Sequence, residues 1–234
     1  MISVSSLEKG HGGRTLFRDA SFRLLPGRRI ALVGGNGVGK TTILEIVVGH
    51  QRADAGEVHR TKDLTVGYLP QDLTDEVNDT VLAHVMAGAG ELAGMEEELR
   101  SLEADMASPD AAKAEAALDA YGEISTRFEA AGGYQLEAEA QRVLAGLGFK
   151  PSDANRSVSE LSGGWRMRAT LGQLLLAKPE VLVLDEPTNH LDVDSVTWLE
   201  EQLAAWPGSI LFVSHDRDFI DAVDERVLEE VGGG

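Results

Sequence analysis

Gly34 to Thr41 reads GGNGVGKT and is followed by Thr42, a spacing that fits G-x-x-x-x-G-K-[ST]. Gly34, Gly37 and Gly39 let backbone N–H groups converge on an anion where a Cβ would interfere, and Gly35, Asn36 and Val38 fill the intervening turn positions. Lys40 is placed to reach β- and γ-phosphates, and the Thr41 hydroxyl to ligate Mg2+. The plainer alternative is a glycine-rich turn beside a stray lysine. Further along, Asp185-Glu186 closes an apolar run. An acidic residue ending such a strand holds Mg2+, usually through water, and a carboxylate beside it takes a proton from an attacking water. His215 and Gln71 also close apolar stretches. Taken singly, the carboxylate reads as a helix N-cap and the histidine as a satisfied polar residue; taken with the loop, they point to Mg-nucleotide hydrolysis.

These residues need strands and helices to bring them together. Ile30-Ala31-Leu32-Val33 is continuously apolar, as a strand buried on both faces would be, and Ile43, Leu44, Ile46 and Val47 then recur at helical spacing up to a candidate C-cap, Gly49. Val181 to Leu184 and Ile210 to Val213 are two more buried strands, with helices between them. That order implies a largely parallel sheet covered on both faces, with ligands at the carboxyl ends of its strands. Short alternating pieces in residues 1–29, Ile2/Val4 and Ala20/Phe22/Leu24, read as antiparallel strands, and 56–59 and 64–69 as two further strands ending at Pro70-Gln71.

From Glu91 to about Ala131 the composition turns to Ala and Glu. Leu92, Met95, Leu99, Leu102 and Met106 form one apolar seam, and Ala114, Ala117, Tyr121, Ile124 and Phe128 a second. Ser108-Pro109-Asp110 separates them, with Ser108 the expected N-cap and Pro109 the first helical position. The pair is expected to form an antiparallel hairpin with acidic outer faces, either an ordinary solvated pair or a projecting functional arm. Gln135–Leu147 is a further amphipathic helix ended by Gly148, and Leu161-Ser162-Gly163-Gly164-Trp165 opens another.

The whole chain has 234 residues, no cysteine and a formal charge of -18. Disulfides and thiolate metal sites are excluded, and no apolar run approaches the ~20 residues that span a bilayer. The acidic balance argues against a broad surface for DNA or anionic lipid, although a local cationic pocket can still hold a nucleotide. A cytoplasmic protein of one domain with a subdomain is expected.

The ordered set GGNGVGKTT, YLPQD, LSGGW, VLVLDEPTNHLD and SHD resembles the nucleotide-binding domain of ATP-binding cassette (ABC) proteins across nearly the whole chain. The resemblance implies an α/β P-loop NTPase fold: a mostly parallel core with an antiparallel β-subdomain (1–71 and 176–234 together) and an α-helical subdomain, 72–175, bearing the 91–131 arm. It implies ATP and Mg2+ as ligands. Gln71 is similar to the Q-loop glutamine near Mg2+ and water, Ser162-Gly163-Gly164 to the signature motif that contacts a facing cassette's nucleotide, and Asp185 and Glu186 to the Walker B pair. Asp192 is similar to the D-loop aspartate and His215 to the switch histidine at the γ-phosphate. Trp165, where transporter signatures have glutamine, and His190 in PTNHLD are similar to the soluble F subfamily, whose members carry two cassettes and act on ribosomes; each residue could also simply pack locally.

Three departures stand out. His11 occupies the place where the family sets an aromatic ring against adenine. Leu171-Gly172-Gln173 lacks an arginine often found there. The chain stops at Gly232-Gly233-Gly234 without an inter-cassette linker, and so reads as one half of a two-cassette protein. The resemblance leaves three functions: a ribosome-acting F-type ATPase cassette, the ATPase subunit of a membrane transporter, or a module that closes on ATP with little hydrolysis of its own.

Overall fold

The computed structural model describes residues 1–73, 78–223 and 227–228. Two sheets and a group of helices make up the fold. The first sheet is antiparallel, in the order β2-β1-β4, from β1 (Ile2–His11), β2 (Arg14–Leu24) and β4 (Ala55–Arg60); Val4 pairs with Phe22 on one side and with Val58 on the other. The second is parallel, in the order β5-β6-β7-β3-β8, from β3 (Arg29–Leu32), β5 (Val66–Leu69), β6 (Val181–Asp185), β7 (Ser209–Val213) and β8 (Val227–Leu228).

Every residue of β6 and β7 is buried, which is why 181–184 and 210–213 are unbroken apolar runs rather than alternating ones. The period of two survives in which core each residue enters. Val181, Val183, Leu211 and Val213 face a core with α1 (Lys40–Val48) and the antiparallel sheet, while Leu182, Leu184, Ile210 and Phe212 face the helices. Burying each such side chain contributes roughly 1.5–3 kcal/mol. On the helical side lie α2 (Val81–Met86), α5 (Leu136–Gly146), α6 (Gly163–Ala177), α7 (Val193–Ala204) and α8 (Arg217–Val223). Nothing in the structure explains the missing arginine of 171–173, but Gly172 of α6 has a packing reason of its own. A Cβ there would sit 3.2 Å from Val85, 3.3 Å from Leu147 and 3.4 Å from Val143, so glycine lets α6 lie close against α2 and α5.

The register of the parallel sheet decides where the chemistry goes. Val213 pairs with Leu32 on one side and with Asp185 on the other, so β3, β6 and β7 end level. Leu69 pairs with Leu184, which brings Gln71 to the same edge.

The arm is a hairpin of α3 (Glu91–Met106) and α4 (Ala111–Ala130). Leu99, Ala117 and Phe128 are its buried contacts, and three polar pairs cross between the helices: Lys113–Asp105 at 2.7 Å, Tyr121 Oη donating to Glu103 at 3.1 Å, and Arg127–Glu91 at 3.3 Å. The start of α4 differs from the expectation. Asp110, not Ser108, is the N-cap, and Pro109 lies before the helix rather than inside it. The Asp110 carboxylate accepts from the amides of both Ala112 and Lys113, whereas the Ser108 hydroxyl accepts only from Asp110 N. The terminal glycines 232–234 lie outside the described residues.

Candidate nucleotide site

The loop after β3 turns on glycines that a larger residue would not replace. Gly37 and Gly39 have φ of 75° and 93°, and a Cβ on Gly39 would stand 2.8 Å from the Phe17 ring. Gly39 is also the N-cap of α1, so the first amides of the helix open onto the loop. At the other end Gly49 closes α1 in the left-handed conformation, its N–H donating to Glu45 and Ile46 carbonyls. Lys40 is buried, and its Nζ donates to the carbonyls of Gly34 (2.9 Å) and Gly35 (3.0 Å). The ammonium therefore braces the loop's curvature from inside while standing beside the amides that would receive phosphate.

Asp185 ends β6 with only 2% of its surface exposed, and among the described residues neither carboxylate oxygen has a hydrogen-bond partner. Burial holds its pKa above the usual carboxylate value; the Glu186 and Glu45 charges add to that, and the nearby Thr41 hydroxyl and the Lys40 ammonium oppose it. A buried carboxylate with two orphaned oxygens beside a threonine hydroxyl is a donor set that suits a hard divalent cation. Glu186 follows in the left-handed region at φ 50°, a strained setting for a non-glycine residue. Three contacts hold it there: its N–H donates to Val213 O at 2.9 Å, its Oε2 accepts from His215 N at 3.2 Å, and its Oε1 stands 3.4 Å from His215 Nε2.

These groups share a cavity of about 480 Å³. From the glycine-rich loop and α1 it takes Asn36, Gly37, Gly39, Lys40, Thr41 and Thr42, and from the other strand ends Gln71, Asp185, Glu186 and His215. Two lining residues were not picked out from sequence: Leu16 of β2, and Asn189, three residues after Glu186 on the same loop. His11 lies elsewhere, exposed at the end of β1 and paired with Arg14 across the hairpin. Ser162, Gly163, Gly164 and Asp192 also stand outside the cavity wall. Ser162 is the exposed N-cap of α6 and its side chain makes no capping hydrogen bond, which leaves that helix N-terminus open to solvent.

Asp192 caps α7 by accepting from Ser195 N at 3.0 Å and pairs with Arg168 at 2.9 Å. The Ser195 amide, with Arg168 and the Ser195 hydroxyl, holds its pKa down to about 2. Trp165 and His190 both have local partners: Trp165 meets Phe149 edge-on at 4.8 Å between ring centroids, and the His190 ring lies against Gly164.

A family model described as ABC transporter matches residues 17–189. The chain belongs to the ATP-binding cassette family. The cassette fold is also found in solved structures: an ATP-binding subunit of an ABC transporter covers 99% of this chain and 88% of its own, with a TM-score of 0.67 and 19% identity. A dimeric ATP-binding cassette in a post-hydrolysis state bound to ADP and Pi covers 99% and 94%, with a TM-score of 0.66 and 17% identity.

Among sequence relatives, a putative ATP-binding protein of Bacillus subtilis is 41% identical over 98% of the chain and 36% of its own length. The tylosin resistance ATP-binding protein of Streptomyces fradiae is 39% identical over 100% and 43%. The energy-dependent translational throttle protein of Mycobacterium tuberculosis is 35% identical over 98% and 40%. An F family member of the ABC transporters from Arabidopsis thaliana is 33% identical over 97% of the chain. The cassette therefore has F-branch relatives, and it spans about two fifths of the length of the Bacillus, Streptomyces and Mycobacterium proteins.

Proposed function

We propose that the chain binds Mg-ATP and hydrolyses it as one cassette of an F-type ABC ATPase that works on the ribosome in the cytoplasm, pairing with a second cassette. The observation that carries the hydrolytic reading is the convergence of Lys40, Thr41, Asp185, Glu186 and His215 on one cavity, from three strands that end level. The ribosomal reading is supported by relatives named for a translational throttle and for tylosin resistance.

The residues divide the work by chemistry. Loop amides and Lys40 hold the β- and γ-phosphates at the positive end of α1. Thr41 and Asp185, with Gln71 close by, would hold Mg2+, which when bound offsets charge on the phosphate oxygens. Glu186 takes the proton of the attacking water, and His215, fixed against it, contacts the γ-phosphate. Ser162 to Gly164 and Asp192 serve the facing cassette, with the open N-terminus of α6 directed at its γ-phosphate. Residues 72–175 act as the helical subdomain, and the 91–131 arm as the part that reaches the ribosome. Neither membrane insertion nor DNA binding belongs to this function. Among the described residues, no helix is long and apolar enough to cross a membrane.

A transporter subunit is the rival reading, supported by the description of the family model and by the solved transporter cassettes. Co-sedimentation separates the two. With Mg-ATP, the Glu186→Gln variant is expected to pellet with ribosomes from a cell extract and not with the membrane fraction; recovery with membranes alone would favour the transporter.

A further inference from the structure

Arg168, in the second turn of α6, is buried among three chain segments. Its Nε donates to the His190 carbonyl at 2.8 Å, and its Nη1 to the Leu147 carbonyl and to Asp192 Oδ2, both at 2.9 Å. Trp165, one turn earlier, covers a face of the guanidinium, with Cζ 4.5 Å from the ring centroid. Gly148, at φ 86°, makes the room: a Cβ there would stand 2.8 Å from Nη1. His190 completes the cluster from the other side, since its ring lies 3.2 Å from where a Cβ on Gly164 would be. So His190 touches the signature turn with its side chain and receives Arg168 with its carbonyl. Asn189, the preceding residue, lines the nucleotide cavity.

We propose that Arg168, with Trp165 over it, is a positioning residue. It locks the turn Ser162–Gly164 to the segment 189–192 that leads out of the nucleotide cavity. Occupancy of this chain's own site thereby sets the orientation of the turn offered to a facing cassette. The inference rests on the Mg-ATP reading above. A planar guanidinium satisfies two carbonyls and a carboxylate in fixed directions, so the segments that hold those acceptors move with α6 as one piece. A lysine at the same place is a point charge on a flexible stem, which keeps the charge and loses the fixed directions.

The test compares the parent chain with Arg168→Lys, Trp165→Leu and Trp165→Phe. Three quantities are read: ATP affinity by displacement of a fluorescent ATP analogue, steady-state hydrolysis, and amide hydrogen exchange over 160–168 with and without Mg-ATP. In Arg168→Lys, the Kd and KM for ATP should stay within about 2-fold of the parent while kcat falls about 10-fold or more, the size of effect that a small misplacement produces. Mg-ATP should slow exchange across 162–168 in the parent and in Trp165→Phe, which keeps an aromatic face, and should fail to do so in Arg168→Lys and Trp165→Leu. A parental kcat in Arg168→Lys, or exchange across 162–168 that ignores Mg-ATP in the parent, would overturn the proposal. Should Arg168→Lys fail to fold by circular dichroism, Trp165→Leu carries the same expectations and the same refutation. A parent chain that binds no Mg-ATP would instead sink the nucleotide reading.

Discussion

At the scale of single residues, three groups of the candidate site stand in unusual settings. Lys40 already spends hydrogen bonds on its own loop, Asp185 is buried with unpaired oxygens, and Glu186 sits in a backbone region that favours glycine. Lys40→Ala is expected to abolish tight Mg-ATP binding, measured by equilibrium dialysis; unchanged affinity would refute the phosphate-loop role. Glu186→Gln should keep ATP binding and slow hydrolysis about 10²-fold to 10⁴-fold, the usual share of a general base, because the amide preserves shape and cannot take the proton. A parental rate in that variant would move the base to another group, with His215 the next candidate.

Asp192 gives a prediction with a definite sign. Its folded pKa, about 2, lies below the ordinary 3.8, so its stabilising effect is present above about pH 4 and is lost as pH falls from there toward 2. Asn is as good an N-cap as Asp, so Asp192→Asn removes the charge and keeps the cap. The parent should therefore exceed the variant in denaturation midpoint at pH 7, with the gap constant down to about pH 5 and closing toward pH 2. A gap that widens on acidification would contradict the assignment.

At the scale of elements, what could be read from the chain was what local pattern controls. The runs 30–33, 181–184 and 210–213 showed as strands because a parallel sheet buries both of their faces, and the 3,4 spacing of Leu92 to Met106 showed as a seam because one helix face packs on another. Level strand ends then made the meeting of Lys40, Asp185 and His215 foreseeable. What escaped was set by tertiary contact. β1 and β2 are longer than their alternation suggests, because shifts of register and left-handed residues at Ser6 and Asp19 interrupt the period of two. Leu16 comes to the cavity wall through that same irregular ribbon, and the Arg168 cluster joins α6, which also carries Trp165, to Leu147 and to the segment with His190 and Asp192, a link no spacing encodes. The arm offers a test of its own. Leu99 is the one buried leucine of its first helix, and Leu→Ala at such a site costs about 2–5 kcal/mol. Leu99→Ala should raise amide exchange throughout 91–130 and leave ATP affinity at the parental value; loss of nucleotide binding would mean the arm and the site fold as one unit.

At the scale of the whole molecule, the proposed function divides each nucleotide site between two cassettes. The cavity gathers the loop, the carboxylates and His215, while the turn at Ser162 and the cap at Asp192 stand outside its wall. If a facing cassette must lend its own Ser162–Gly164 to each γ-phosphate, hydrolysis requires two chains, and two copies carrying -18 each repel one another. Salt that screens this repulsion should strengthen an ATP-dependent pairing of Glu186→Gln, read by sedimentation. The most direct measurement is ATP hydrolysis per chain across a wide range of chain concentrations at saturating Mg-ATP, with Glu186→Gln as the blank. Activity per chain that is low when dilute and rises with concentration is the predicted result. Activity that stays high and constant on dilution, in a chain that sediments as a monomer, would contradict the account, because one cassette would then be completing its own site.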